Sequence, residues 1–177
     1  DTTNASNISS GTLSTNRMPA GSVIQTTAIN TGTTSTTCGA YVDAQWYDSL
    51  VTGDITTVYD NSDVLIFVSV LVQTRNTTGD AGYTLRMKRH GSGVSTTYPD
   101  NLLEGTIANW HSSWYRNPAV ATTSDGPYEF VDRHRPTFLD SPSQIATLSY
   151  TVQVGGYNFE QLSIGGVYNA RWTIFFQ

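Results

Sequence analysis

The strongest constraint on the fold is a set of short segments in which apolar and polar residues alternate. In LSYTVQV (148–154) every second residue is apolar, and GYTLRMKR (82–89) alternates in the same way, with Arg86 and Lys88 on its polar face. Successive side chains of a β-strand point to opposite faces of a sheet, so these segments predict half-buried strands. Further strands are predicted at 22–29, 38–48 and 167–177.

One predicted strand is almost entirely apolar. VLIFVSVLVQ (64–73) is interrupted only by Ser69 before its terminal glutamine, a pattern typical of a central strand covered on both faces. The segment 30–37 is turn-like, and glycine and proline break the periodicity between residues 91 and 140. A loop region of that length in a small domain indicates a functional loop or short strands without a clear pattern.

Composition agrees with a chain built from strands. It holds 27 threonines against a single lysine, and 13% of its residues are charged, about half of the ~25% usual in soluble proteins. Threonine, valine and tyrosine favour strands over helices. We therefore predict an all-β fold, an antiparallel β-sandwich of the jelly-roll type covering residues 22–177, after an extended segment at 1–21.

Charge and motif content argue against several classes of function. The net charge of −5 is unfavourable for binding nucleic acid or an anionic membrane, and no apolar run is long enough to cross a bilayer. The single cysteine, Cys38, excludes an intrachain disulfide, and the three histidines have no metal-like spacing. No nucleophile elbow, phosphate loop or zinc-protease motif is present. We expect no cofactor, no bound metal and no catalytic residues. The chain starts at Asp1 and not at methionine, so we expect it to be a piece of a longer protein.

The first residues carry a motif. NASNISSGTLSTNRMP (4–19) is made of small polar residues, with isolated aliphatic side chains at Ile8 and Leu13. It resembles the repeat TNI-SSGTL-xxRLP of tail-fibre proteins of tailed bacteriophages, where it lies in the shaft or where the shaft meets a terminal domain. Met18 stands where leucine is usual, a change that conserves volume.

A second resemblance covers much of the remaining chain. GSVIQ (21–25), the strands at 64–73 and 82–89, and FLDSPSQIATLSYTVQV (138–154) are similar to a virion domain common in marine phages. Members of that family are tail-fibre or structural proteins. The resemblance implies a location in the virion, as a tail or capsid fibre, and contacts with other virion proteins.

Phage fibres are normally homotrimers, and this expectation gives segment 1–21 a role. In three parallel copies, Ile8 and Leu13 would face the three-fold axis, and we place Met18 and Phe176 at the trimer interface as well. Alone, the segment could not offset the entropy lost on ordering. Its composition also fits a disordered linker.

The most distinctive polar-aromatic cluster is NWHSSWYRNP (109–118). Aromatic rings stack on the C–H faces of sugars, while arginine hydrogen-bonds to hydroxyls or carboxylates. The predicted glycan or host-receptor site consists of Trp110, His111, Trp114, Tyr115 and Arg116. The alternative is that the tryptophans close the end of the sandwich, since most tryptophans are buried.

Four weaker features have simpler explanations. The basic clusters RMKRH (86–90) and DRHRP (132–136) would form an anion site, or be a solvent-exposed strand face or ion pairs across a subunit interface. Asp60, Asn61 and Asp63, with Asp54, could bind calcium but also fit a turn. Carboxylates that could be imagined as a glycosidase pair are Asp125 with Glu129 and Asp100 with Glu104, and nothing in the sequence positions them. Cys38 is expected to behave as a small apolar residue.

Together these features predict a non-enzymatic virion structural protein, a trimeric fibre module that contacts a host-surface glycan. Two alternatives remain open. One is a depolymerase that degrades that glycan, although the sequence offers no convincing catalytic set. The other is a trimeric binding module of the C1q/TNF type, which shares a sandwich architecture.

Overall fold

Two antiparallel sheets pack face to face in the computed structural model of the chain. The structure describes residues 22–23, 25–40, 45–76, 81–98, 115–117, 128–157, 160–167 and 170–177. The strands in this part of the chain are β1 (Thr27–Gly32), β2 (Ser35–Cys38), β3 (Trp46–Thr56), β4 (Val64–Asn76), β5 (Ala81–Gly91), β6 (Val94–Thr97), β7 (Tyr115–Asn117), β8 (Tyr128–His134), β9 (Thr137–Asp140), β10 (Thr147–Tyr157), β11 (Gln161–Gly165) and β12 (Trp172–Phe176). The prediction of an all-β sandwich is confirmed.

The larger sheet is organised around β4. Its hydrogen-bonded order is β1-β12-β4-β11-β2, with β8 and β9 on the opposite side of β4. Phe67, for example, is paired with Phe175 of β12 on one side and with Thr137 of β9 on the other. Each other position in this sheet is occupied by two consecutive short strands that lie end to end. These are β1 followed by β2, β8 followed by β9, and β11 with β12. Among the strands of the described residues, only β4 runs unbroken through the length of this sheet.

The smaller sheet has the order β3-β10-β5-β6, with β7 also paired to β5. The chain moves from the larger sheet to β3, back to β4, and then to β5, β6 and β7. It returns to the larger sheet at β8 and β9, crosses to β10, and ends in β11 and β12. This nested alternation between two antiparallel sheets is the connectivity of a jelly roll.

Two glycines allow a close backbone approach between the end of β11 and the segment that joins β1 to β2. Gly165 has a φ of +114°, which side-chain-bearing residues rarely adopt. A Cβ atom on Gly166 would overlap the carbonyl group of Thr33, and the Gly166 amide donates to the carbonyl oxygen of Thr34 at 2.9 Å. The close backbone approach therefore requires glycine at this point.

The core lies between the sheets and follows the predicted alternation. Leu148, Tyr150, Val152 and Val154 are fully buried in β10, as predicted from their period of two. In β5, the buried residues Tyr83, Leu85 and Met87 alternate with partly exposed Arg86 and Lys88, also as predicted. Burial of these apolar side chains is the main favourable term for holding the sheets together.

Phe176 belongs to this core, and its assignment to a trimer interface is wrong. Its side chain is fully buried within its own chain, with its ring centroid 5.4 Å from that of Tyr150. A Cβ atom on Gly53 would lie 2.9 Å from the Phe176 ring, so the glycine makes room for it. Alternation along β12 turns Trp172, Ile174 and Phe176 towards the opposite sheet, which leaves no surface of Phe176 for another subunit.

Several strand predictions differ from the structure. The strand predicted at 22–29 is β1 at Thr27–Gly32, and the one predicted at 167–177 is β12 at Trp172–Phe176. The segment 38–48 is not one strand, because β2 ends at Cys38 and β3 begins at Trp46. The turn predicted at 30–37 contains the end of β1 and almost all of β2, whose threonines gave no apolar period. For the irregular region 91–140, the alternative of short strands without a clear pattern is confirmed, because the region contains β6 to β9.

The prediction that β4 is covered on both faces is also wrong within this chain. Its buried residues alternate with half-buried or exposed ones, and Phe67 is 38% exposed. Phe67 lies beside the partly exposed Phe175 of β12, with ring centroids 5.9 Å apart. Leu65 and Leu71 share this outward side of β4. The outer face of the larger sheet is thus partly apolar.

Candidate functional site

The outer face of the smaller sheet carries an ordered set of polar and aromatic side chains. Because Tyr83, Leu85 and Met87 point into the core, Arg86 and Lys88 between them point outward. The register of β5, β10 and β3 aligns Arg86 with Gln153 and Gln153 with Asp48. We call the following set the outer polar face: Trp46, Asp48, Arg86, Lys88, Tyr98 and Gln153.

Hydrogen bonds link four of these side chains across three strands. Arg86 Nε donates to Gln153 Oε1 at 2.6 Å, and Gln153 Nε2 donates to Asp48 Oδ1 at 2.5 Å. Lys88 Nζ donates to the other Asp48 oxygen at 2.7 Å. Gln153 is only 6% exposed although it points outward, because its neighbours cover it. The row is therefore held in one arrangement.

The charge of Asp48 is stabilised by this network. Partial burial raises the pKa of its carboxyl group, but the hydrogen bonds from Lys88 and Gln153 outweigh that effect and leave the pKa below its ordinary value. Asp48 is consequently an ionised acceptor at neutral pH, and its side chain remains half exposed.

The guanidinium of Arg86 stacks on two aromatic rings. Its Cζ atom lies 4.1 Å from the centroid of Trp46 and 3.9 Å from that of Tyr98. Trp46 can lie flat on the sheet because its cross-strand partner is Gly155, where a Cβ atom would come within 3.2 Å of the indole. Cation–π contacts of this kind add to the hydrogen bond in fixing the arginine. Partial burial lowers the pKa of Arg86 from its usual value.

The rest of the outer surface of the smaller sheet is rich in hydroxyl groups. His90 Nε2 and Thr151 Oγ1 are 2.8 Å apart, and Thr151 is also hydrogen-bonded to Thr52. Thr56 and Thr147 form another cross-strand pair at 2.9 Å. The surface therefore combines one cationic and aromatic group with rows of hydroxyls that can hydrogen-bond to a polar ligand.

A second polar group lies between the sheets, and we call it the buried network. Arg89 Nη1 donates to both carboxylate oxygens of Asp140, at 2.8 and 2.7 Å, and the Tyr150 hydroxyl donates to Asp140 Oδ2 at 2.7 Å. Burial and the adjacent Asp140 carboxylate raise the pKa of Tyr150. Nearby, the Tyr83 hydroxyl is hydrogen-bonded to His134 Nε2. These contacts join β5 and β10 to β8 and β9, so their role is to connect the sheets.

Most of the aromatic cluster predicted to bind glycan lies outside the described residues, namely Trp110, His111 and Trp114. The backbone of Tyr115 and Arg116 is described in β7, in register with Tyr83 and Gly82 of β5. The cluster therefore ends at the same edge of the smaller sheet that carries β6 and Tyr98. Ile8, Leu13 and Met18 also lie outside the described residues.

The two basic clusters do not form a single anion site. Arg86 and Lys88 are on the outer surface, whereas Arg89 is buried against Asp140. In the second cluster, Arg133 Nη1 donates to Ser69 Oγ and to the backbone carbonyl of Arg171, both at 3.1 Å. The structure thus separates side chains that are adjacent in sequence.

The structure describes the other predicted sites only in part. Asp63 accepts a hydrogen bond from Ser141, and the described residues contain no group of three potential metal ligands. Burial raises the pKa of Cys38 to about 11, in agreement with its role as a small apolar residue. Asp100, Glu104 and Asp125 lie outside the described residues, and for Glu129 only the backbone is described, in β8.

Sequence reasoning missed Trp46, Tyr98 and Gln153 as parts of a site. Trp46 falls at the start of a strand whose position was predicted wrongly, and Tyr98 follows a four-residue strand. Gln153 was recognised only as a polar position in β10. The glycine at position 155 was a usable signal, because a glycine inside a strand indicates close approach of another group.

Comparison of the chain with known protein families and with curated proteins finds no match. Within the described ranges there is no helix with the length and apolar character needed to cross a membrane.

Proposed function

We propose that this chain is a β-sandwich module of a bacteriophage virion fibre, a homotrimer that attaches to a host-surface glycan and performs no catalysis. The motif NISSGTL followed by RMP supports the fibre part of the proposal. The β-sandwich is compatible with a terminal domain, although the fold alone does not determine function.

The observation that carries the binding part is the outer polar face. Its side chains are held by cross-strand hydrogen bonds and by stacking on Trp46 and Tyr98, so a ligand would meet an ordered surface. Preorganised side chains lose little entropy on binding. Asp48 is ionised and bound to Lys88, which favours a recognition role over that of a general acid.

Self-association is supported by the outer face of the larger sheet. Phe67 and Phe175 form an outward aromatic pair, with Leu65 and Leu71 on the same side of β4. Exposed apolar side chains grouped in this way mark contacts with other proteins. The trimer we propose would cover part of this surface and would bring three copies of residues 1–21 together.

Two measurements test the proposal. Sedimentation equilibrium of the full chain should give three times the mass of 19.3 kDa, and a stable monomer at micromolar concentration would contradict the trimer. The purified chain should also compete with intact phage for adsorption to host cells. Adsorption that is unchanged by excess chain would contradict attachment.

The jelly-roll connectivity also favours one alternative, a C1q/TNF-like trimeric binding module. Antibodies against the chain distinguish the two, because a fibre protein should be labelled on phage particles by electron microscopy. A depolymerase would release reducing ends from host polysaccharide. A positive result in that assay would replace the binding proposal with an enzymatic one.

A further inference from the structure

We propose that Arg86 is the centre of a binding site for a carboxylated saccharide, such as a uronic acid residue of a surface polysaccharide. The inference rests on the proposed function in that the fibre module meets a host glycan, and it adds the site and the charge class of the ligand. It uses none of the residues of the predicted aromatic cluster at 109–118.

The guanidinium of Arg86 is held in place by three neighbouring side chains. Its faces are stacked against Trp46 and Tyr98, and its Nε is bonded to Gln153. Its two terminal nitrogens make no hydrogen bond or ion pair with any described residue. A planar guanidinium with free terminal N–H groups matches a carboxylate in a two-point interaction. The stacking and the Gln153 bond fix the orientation of this fork before a ligand arrives.

The outer polar face carries more positive than negative charge around Arg86. Asp48 is the carboxylate in this row, and both of its oxygens are already engaged, one by Lys88 and one by Gln153. Arg86 and Lys88 together exceed Asp48 by one positive charge, although the whole chain carries −5. A local excess of positive charge on an acidic protein favours an anionic ligand at this place.

The surroundings of Arg86 favour an acidic sugar over other anions. Tyr98 is 49% exposed beside the guanidinium, which leaves aromatic surface for the C–H face of a sugar ring. The exposed side chain of Thr52 lies on the same outer surface, beside the buried Thr151 to which its hydroxyl is hydrogen-bonded. An acidic sugar can use the carboxylate fork, the aromatic ring and hydroxyl contacts together, whereas an acidic peptide would use mainly the charge.

The test compares two probes that differ only in the carboxyl group. One is an oligogalacturonate, and the other is the same oligosaccharide with its carboxyl groups reduced to hydroxymethyl groups. The full chain should bind the acidic probe about 10- to 100-fold more tightly, the difference expected from charge-assisted hydrogen bonds. Equal affinity for both probes, or no binding of the acidic probe, would overturn the proposal.

Variants locate the site. Arg86→Gln should lose the preference for the acidic probe, and Arg86→Lys should weaken binding because lysine has no planar fork. Arg171→Gln, which makes the same charge change at an exposed position just before β12, should bind as the unmodified chain does. Normal binding by Arg86→Gln would overturn the assignment. If Arg86→Gln does not fold, Tyr98→Ser gives the decision, with binding expected to fall.

Two further experiments distinguish a saccharide site from a site for acidic peptides and from the attachment site of the fibre. A hexaglutamate peptide should bind more weakly than the acidic oligosaccharide; equal or tighter binding would mean a site for acidic peptides and would overturn the saccharide assignment. Phage particles carrying Arg86→Gln give an independent answer about adsorption. If the isolated variant loses uronate binding while such particles adsorb normally, the site stands but is not the attachment site of the fibre proposal.

Discussion

Strand β5 supplies an arginine to each of two polar networks that differ in their surroundings. Arg89 points inward and is paired with Asp140, and both side chains are about 10% exposed. Arg86 points outward, stacks on Trp46 and Tyr98, and is partly exposed, with its Nε donating to Gln153. The same residue type on opposite faces of one strand therefore has two roles. Burial and the ion pair with Asp140 give Arg89 a role in joining the sheets. The outward position of Arg86 leaves it able to bind a ligand.

The loss of an ion pair should change the free energy of unfolding by different amounts in the two networks. Breaking a buried ion pair leaves a charge without a partner in a region of low dielectric, which costs much more than the pair contributes in net terms. An exposed pair such as Lys88–Asp48 is screened by water and adds little to stability. Substitutions in the buried network should thus act on folding, and those in the outer polar face on binding.

The largest effect is expected from Asp140→Ala. Loss of the carboxylate leaves Arg89 buried without its partner and removes the acceptor of the Tyr150 hydroxyl, so the free energy of unfolding should fall by about 3–5 kcal/mol. Urea unfolding followed by tryptophan fluorescence measures this change. The double variant Arg89→Met with Asp140→Leu should recover much of the loss. A double variant as unstable as Asp140→Ala would show that the pair contributes more than charge compensation.

The second-largest change in the free energy of unfolding is expected from Tyr150→Phe. It removes one hydrogen bond to a buried carboxylate and should lower the free energy of unfolding by about 1.5–3 kcal/mol. The pKa of Tyr150 is raised in the folded state, so its contribution is present below the ordinary value of 10.0 and is lost as the pH rises above it. Stability of the unmodified chain should therefore fall above pH 10 more steeply than that of Tyr150→Phe.

Cys38 provides an internal reference for the alkaline measurement. Burial raises its pKa from 9.0 to about 11, so both chains should lose some stability between pH 9 and 11 for this reason. The difference between the two chains should appear only above pH 10. Parallel curves throughout would contradict the role assigned to the Tyr150–Asp140 hydrogen bond.

The smallest effect is expected from Asp48→Asn in the outer polar face. Its carboxylate is half exposed, so the free energy of unfolding at pH 7 should change by less than about 1 kcal/mol. The pKa of Asp48 is lowered in the folded state, so its contribution is present above pH 3.8 and is lost as the pH falls below that value. The variant should lack this small acid-dependent loss. A large destabilisation at pH 7 would remove the contrast between the two networks.

The sequence was sufficient to predict the fold class and the face on which many strand residues lie. Alternation in GYTLRMKR placed Arg86 and Lys88 on the outer side, as the structure has them. It could not identify their partners, because Asp48 and Gln153 are 38 or more residues away in sequence and meet Arg86 and Lys88 only through strand register. The partner of Arg89, Asp140, belongs to the four-residue strand β9, which is too short to show a period.

Strand β3 shows a second limit of sequence reasoning. Its inward positions include Ser49 and Gly53 as well as Val51 and Ile55, so its apolar period is weak. Ser49 is accommodated because its hydroxyl donates to the Val152 carbonyl at 2.6 Å, and Gly53 because it lies against Phe176. Both explanations depend on tertiary contacts. Trp46 was consequently missed as part of the outer polar face.

The pairing of β1 with β12 has a consequence for how the molecule forms. Thr27 lies opposite Phe176, and Gln177 exchanges two hydrogen bonds with Leu65, so the larger sheet joins segments separated by more than a hundred residues. Folding rates fall as contacts become less local. On the ribosome, β4 would wait for β12 to be synthesised before its central pairing is complete. We expect slow folding, with the apolar residues of β4 exposed until the final strand is added.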